Sequence, residues 1–179
     1  MKRNGLFLSK KKIEVFQTSI RFLVHSIFNG QITLQKHALE FSDKFPNVIS
    51  DKTQLQRFLG CLNYVSKFYQ DCAQDRSLLN QRLRKCPPQW SEAHTKVVQK
   101  IKAKVKTLPI LYVSDDSWFK IVKTDANNIG WGGILKQRKD GTEQIVQFRS
   151  SAWNPTEQKY STIKKEVKAA WNCVSISIW

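Results

Sequence analysis

A chain of 179 residues, 41% of them apolar and 25% charged, is not a disordered tail, and thirty Lys and Arg against fourteen Asp and Glu give a formal net charge of +16 that points to a polyanionic partner. No apolar run is long enough to span a membrane and the N-terminus lacks the apolar core of a signal peptide, so an intracellular protein with no membrane partner is expected. Cys61, Cys72, Cys86 and Cys173 show no paired spacing and His25, His37 and His94 complete no zinc signature, which leaves four reduced, mostly buried thiols.

From Lys12 to Leu34 apolar and polar residues alternate at Ile13, Val15, Phe16, Ile20, Phe22 and Leu23, then at Ile27, Phe28, Ile32 and Leu34. Asn29-Gly30 between the last two runs predicts a tight hairpin, because both residues tolerate the positive φ that such a turn demands. Lys10-Lys11-Lys12 reads as a solvated strand end rather than a nuclear signal. Asp51-Lys52-Thr53 is an N-cap cluster, followed at helical spacing by Leu55, Phe58, Leu59, Leu62 and Val65. A second, short helix is predicted over Ser77 to Leu83 and is broken by Cys86-Pro87-Pro88. Ser91 caps a third, which turns Val97, Val98, Ile101, Val105 and Leu108 toward a core. After Pro109 the pattern changes to strands over Phe119 to Lys123, Ile129 to Gln137 and Glu143 to Arg149, with Asp140-Gly141 turning between the last two. Pro155-Thr156-Glu157 then opens a predicted helix whose apolar positions Tyr160, Ile163, Val167, Ala170, Trp171 and Val174 keep the 3.6-residue period. The fold class is α+β, a helical middle followed by β-β-β-α.

Nucleic acid is the polyanion favoured, since six Trp, ten Phe and four Tyr are interleaved with the basic residues; the alternative is a merely soluble basic surface. On the third helix Lys96, Lys100 and Lys104 lie four apart, and from Arg84 to Lys106 seven basic residues meet one acid, Glu92. That ridge is either the wet side of an amphipathic helix or a phosphate contact. Two-metal phosphodiester hydrolysis needs several carboxylates around a pair of close ions. Asp125 ends the first strand of the meander, in Thr124-Asp125-Ala126, and is followed by Asn127-Asn128 and by Gly130, Gly132 and Gly133, small residues that would let a nucleic-acid backbone approach. Glu166 lies within the last helix, which could present it to Asp125. Taken alone, an Asp at a strand end is a turn former and a Glu in a Lys-rich helix is a surface ion-pair partner.

The run Val122-Lys123-Thr124-Asp125-Ala126-Asn127-Asn128-Ile129-Gly130-Trp131-Gly132-Gly133, with Asn154 to Glu166 downstream, resembles the ribonuclease H of plant pararetroviruses, of which gypsy-type retrotransposons carry a looser version. Gly5 to Lys12, Phe22-Leu23-Val24-His25 and Leu55 to Tyr64 are similar to the end of the palm and the thumb of the same reverse transcriptase polyproteins. The resemblance implies a palm end with a β-hairpin over 1–50, thumb or connection helices over 51–108, and over 109–179 the first part of a ribonuclease H-like domain, truncated, with its later strands missing. It implies that Asp125 and Glu166 are the first two of four acidic positions and bind Mg²⁺ or Mn²⁺, weakly in this chain, the other two falling beyond Trp179. The polymerase aspartates would precede Met1; Tyr112-Val113-Ser114-Asp115-Asp116 has an extra residue and reads as a turn. Lys96, Lys100, Lys104, Asn127, Gly130 and Gly132 are the expected nucleic-acid contacts, with an RNA–DNA hybrid as partner alongside the missing polyprotein segments. Val24 and Asn127 stand where that family usually has Gly and Ser, and neither change removes a ligand. The expected function is thus a catalytically incomplete piece of a reverse transcriptase. A non-catalytic, basic nucleic-acid-binding relic of an integrated virus, or a purely structural packing segment, are the alternatives.

Overall fold

The computed structural model describes residues 16–175. In chain order they form β1 (Ser19–Phe22), β2 (His25–Phe28), β3 (Gln31–Leu34), the short α1 (Lys36–Leu39) and α2 (Phe41–Lys44), α3 (Lys52–Val65), α4 (Cys72–Gln81), α5 (Glu92–Lys106), β4 (Leu111–Tyr112), β5 (Phe119–Ala126), β6 (Gly130–Lys139), β7 (Thr142–Ala152) and α6 (Thr162–Val174). The strand positions read at Ile13 and Val15 and the strand end at Lys10-Lys11-Lys12 lie outside the described residues.

Both predicted turns form. Asn29 and Gly30 take φ of 48° and 72° between Phe28 and Gln31, and Asp140 and Gly141 take 48° and 80° between Lys139 and Thr142. The turn from β1 to β2 has no such signal, because Leu23 takes φ 53° without being Gly or Asn. Gln35 braces it, its backbone N–H donating to Val24 O at 2.9 Å and its Nε2 to His25 O at 3.1 Å.

The helical middle packs as its apolar spacing predicts. Leu55, Phe58, Leu59, Leu62 and Val65 of α3 meet Leu79 of α4 and Val98, Ile101 and Val105 of α5 in one buried cluster, together with Phe41 and Ile49. Asp51 Oδ2 accepts from Gln54 N at 2.6 Å to cap α3, and His94 Nδ1 accepts from Ser91 N at 3.0 Å at the start of α5. The middle helix begins at Cys72 rather than Ser77, because its preceding residue is Asp71 in the left-handed region, φ 60°, a start that no capping side chain announces.

Two antiparallel sheets flank this core, β1-β2-β3-β4 and β5-β6-β7. They are tied through the helices by Phe68, Leu111 and Phe148, which pack together, and by two long-range hydrogen bonds: Phe148 N to Lys67 O at 2.8 Å and Ala73 N to Ser150 Oγ at 2.9 Å. The Tyr112 to Asp116 stretch leaves β4 as a loop. Buried Gln137 pins it, donating from Nε2 to Val113 O and accepting from Asp115 N, each at 3.0 Å.

The last helix differs from its expected start and burial. Asn154 Oδ1 accepts from Thr156 N at 3.0 Å and Glu157 N at 2.8 Å, so Pro155 opens a turn and a 3₁₀ segment (Glu157–Lys159), and α6 starts only after Ser161. Its period is as predicted, yet Ile163, Val167, Trp171 and Val174 are exposed, Ile163 by 78% and Trp171 by 68%. Ala169, Cys173 and Lys165 turn to the sheet instead. Close approach explains the choice: Gly133 leaves room that Cys173 Sγ fills, and a small side chain at Ala169 lets the helix lie flat on Trp131 and Trp153.

Candidate functional site

Asp125 lies one residue from the end of β5, exposed, on a strand that forms one edge of its sheet. In register it opposes Gly132, which opposes Ser150, so Asp125, Gly132 and Ser150 form one cross-strand row. Side chains alternate along a strand, and Val122 and Ala126 pack with the Trp131, Trp153, Ala169 and Cys173 cluster under α6. The Asp125 row therefore faces the other way, toward the start of α4. α6 crosses β5 from the opposite face, with Glu166 half-buried beside Lys165, whose Nζ donates to Asn128 Oδ1 at 3.0 Å. Asp125 thus faces away from α6, the helix that carries Glu166, and the helix does not present Glu166 to it as the sequence suggested.

A carboxylate that the sequence does not single out stands on the Asp125 face. A Cβ placed on Gly132 would meet Asp71 Oδ1 at 2.7 Å, so Asp71 rests against the middle of the row. Burial pushes its carboxyl up from the usual range, Lys104 opposes this, and the neighbouring Asp75 and Asp125 charges add to the rise. Asp75 is itself buried. It accepts from Tyr69 Oη at 2.7 Å and pairs with Lys100 Nζ at 2.5 Å and Lys104 Nζ at 3.5 Å. Burial and this hydrogen bond drive the Tyr69 phenol far above its ordinary range. Asp71 and Asp75 carry no legible signal because what brings them here is the packing of α4 on β7 and α5.

The other sequence candidates are held as follows. Lys96 pairs with exposed Glu92 at 2.9 Å, while Lys100 and Lys104 turn inward to Asp75. Asn127 is a turn organiser, its Oδ1 accepting from Ile129 N at 2.8 Å and Gly130 N at 3.0 Å and its O from Trp153 Nε1 at 2.7 Å. The space beside Gly130 is taken by the Ser151 carbonyl and that beside Gly132 by Asp71.

Asp125 and Glu166 offer the hard oxygen donors that Mg²⁺ prefers. Their number falls short, since among the described residues no three Asp, Glu, His or Cys side chains converge where an ion could be held.

Residues 90–176 match the family described as the RNase H-like domain found in reverse transcriptase. The chain is 37% identical over 177 residues to the enzymatic polyprotein of Cauliflower mosaic virus (strain NY8153), covering 96% of this chain and 26% of that protein. It is 37% identical over 166 residues to that of Carnation etched ring virus, covering 92% of this chain and 25% of the relative. Among solved structures, a foamy viral protease-reverse transcriptase in complex with RNA/DNA hybrid superposes with a TM-score of 0.76 at 18% identity, over 94% of this chain and 23% of the other. The same protein in complex with dsDNA gives 0.75 over 90% of this chain and 34% of the other. The chain thus shares that fold and spans about a quarter of the polyproteins it matches.

Proposed function

This chain is related over nearly all its length to the enzymatic polyproteins of plant pararetroviruses and carries a ribonuclease H-like domain of the reverse-transcriptase kind, and from that premise we propose that it holds an RNA–DNA hybrid against the free edge of β5 without cleaving it unaided. The observation that carries this reading is Asp125, exposed at the end of an edge strand with Glu166 on the helix that crosses it. Each is proposed as a ligand of Mg²⁺ or Mn²⁺, held weakly if at all until further acidic groups join them. Asn127, Gly130 and Gly132 shape the turn and strand beside Asp125 that the hybrid would approach. On α5, Lys96 is the ridge residue best placed to exchange its partner for phosphate, because Glu92 is exposed; Lys100 and Lys104 would have to leave Asp75 uncompensated.

Hybrid binding across a salt series tests the reading. If about five phosphates are neutralised, log affinity falls against log salt with a slope of roughly −4 to −5. A slope near zero would contradict it. A second reading, a segment that packs against other parts of a polyprotein, is favoured by the stripe of Ile163, Val167, Trp171 and Val174 left exposed on α6. Its mark is concentration-dependent self-association that Trp171→Glu relieves.

A further inference from the structure

The segment 82–91 joins α4 to α5 with residues 84–89 exposed, and a column of three side chains straps it to the helical core. Arg82 Cζ lies 5.8 Å from the centre of the Trp90 ring, and the Trp90 and His94 rings are 5.2 Å apart with their planes at 32°. Arg82 donates Nη1 to Pro88 O and Nη2 to Ser50 O, the latter at 3.2 Å, and Trp90 Nε1 donates to Thr95 Oγ1 at 2.9 Å. The column ends in the first turn of α5. There His94 Nδ1 accepts from Ser91 N at 3.0 Å, so the neutral ring carries its proton on Nε2. That nitrogen is buried without a hydrogen-bond partner, and so is Nε of Arg82.

A second proton on this ring is poorly received. On Nδ1 it removes the acceptor of Ser91 N–H. Ser91 Oγ, 2.7 Å from the same nitrogen, can take a bond from the charged ring, but the backbone donor at the head of the helix is then orphaned. The charge is also added to a residue only 3% exposed, at the positive end of the α5 dipole. Burial, and then the Arg82 guanidinium, hold the His94 imidazole below its ordinary range. The nearby acids are engaged elsewhere. Glu92 is exposed and pairs with Lys96 at 2.9 Å, and Asp51 at the head of α3 accepts from Gln54 N at 2.6 Å. Asp75 of α4 is held by Lys100 and Lys104, and Asp43 of α2 lies against Lys106 at the far end of α5. Lys52 of α3 and Arg84 and Lys85 of the strap add only positive charge. We propose that His94 is an acid-sensitive latch: protonation of its ring opens the first turn of α5 and frees the 82–91 strap, while Val98, Ile101 and Val105 stay packed in the core. The fold favours the neutral ring, so the latch is fully closed above the ordinary histidine value of about 6.5 and loses stability as pH falls below it. It stands independently of the hybrid-binding reading.

The test compares the whole chain with His94→Gln, whose amide oxygen can accept from Ser91 N in the same capping geometry and does not titrate. Amide hydrogen exchange is followed by NMR from about pH 7.5 to about pH 5, corrected for the intrinsic rate at each pH, a window that brackets the ordinary histidine value. The amides of Ser91, His94 and Thr95 report on the turn. In the wild-type chain their opening constant is expected to rise as pH falls, toward a limit of about 30-fold at pH 5, the ratio set by an open-state histidine at about 6.5. In His94→Gln it is expected to stay flat. A flat wild-type profile, or an equal rise in His94→Gln, overturns the latch. An opening constant for the turn no larger than that of the Ile101 amide makes the event global unfolding and overturns it as well. The wild-type ring decides without any variant: its Cε1–H resonance is expected to titrate below free imidazole, and a midpoint at or above about 6.5 overturns the proposal.

Discussion

At Asp71 an acidic residue sits where its charge is unwelcome, half-buried, against Gly132 and near the charges of Asp75 and Asp125. Its folded carboxyl is raised above its unfolded value, so the unfolded chain gives up this proton first as pH rises, and stability falls through that window. Below the carboxylate range both states are protonated and nothing is lost. Asp71→Asn keeps a residue that tolerates the left-handed φ of 60° and removes the charge. It is expected to raise the melting temperature at pH 7 and to leave it unchanged at about pH 3, below the ordinary carboxylate range; an equal or lower value at pH 7 would contradict the burial argument. Residues of this kind were not legible in the sequence. The four-residue spacing of Lys96, Lys100 and Lys104 was plain, but that Asp75 collects two of them depends on α4 packing against α5, which no local pattern encodes.

Elements were read more securely than their faces. The α3 and α5 stripes, the Asn29-Gly30 and Asp140-Gly141 turns and the β5-β6-β7 meander all follow from local chemistry, and each formed where the spacing put it. The helix α6 shows the limit. Its large apolar residues keep the helical period, yet the sheet takes the small face, because Gly133 and Cys173 allow an approach that Trp171 or Val167 would block. A Cβ on Gly133 would overlap Cys173 Sγ. Gly133→Ala is therefore expected to destabilise the chain by about 1–3 kcal/mol, the usual cost of overpacking. Cys173→Ala in the same chain removes the sulfur and should recover most of that loss. Chemical denaturation checks both, and a Gly133→Ala defect that Cys173→Ala leaves untouched would show that the helix rests on the sheet in some other way.

In the whole molecule, a formal charge of +16 is distributed unevenly. Along α5 and across β5-β6-β7 seven cations are matched by Glu92, Asp75, Asp43 and Glu143, while most of the other described Lys and Arg have no carboxylate within ion-pair distance. The relationship to pararetroviral polyproteins was legible in runs of residues such as Val122 to Gly133, and the α+β class in the order of elements. That Asp125 faces α4 rather than α6 was not legible, because strand alternation alone does not say which face a helix will cover. On the proposed function, these 179 residues hold an RNA–DNA hybrid without cutting it. This is tested most directly by incubating a labelled hybrid with the purified chain and Mg²⁺, alongside Asp125→Asn, and following both binding and strand cleavage. A bound, intact hybrid is expected in both samples; Mg²⁺-dependent cleavage by the wild-type chain that Asp125→Asn abolishes would overturn the reading.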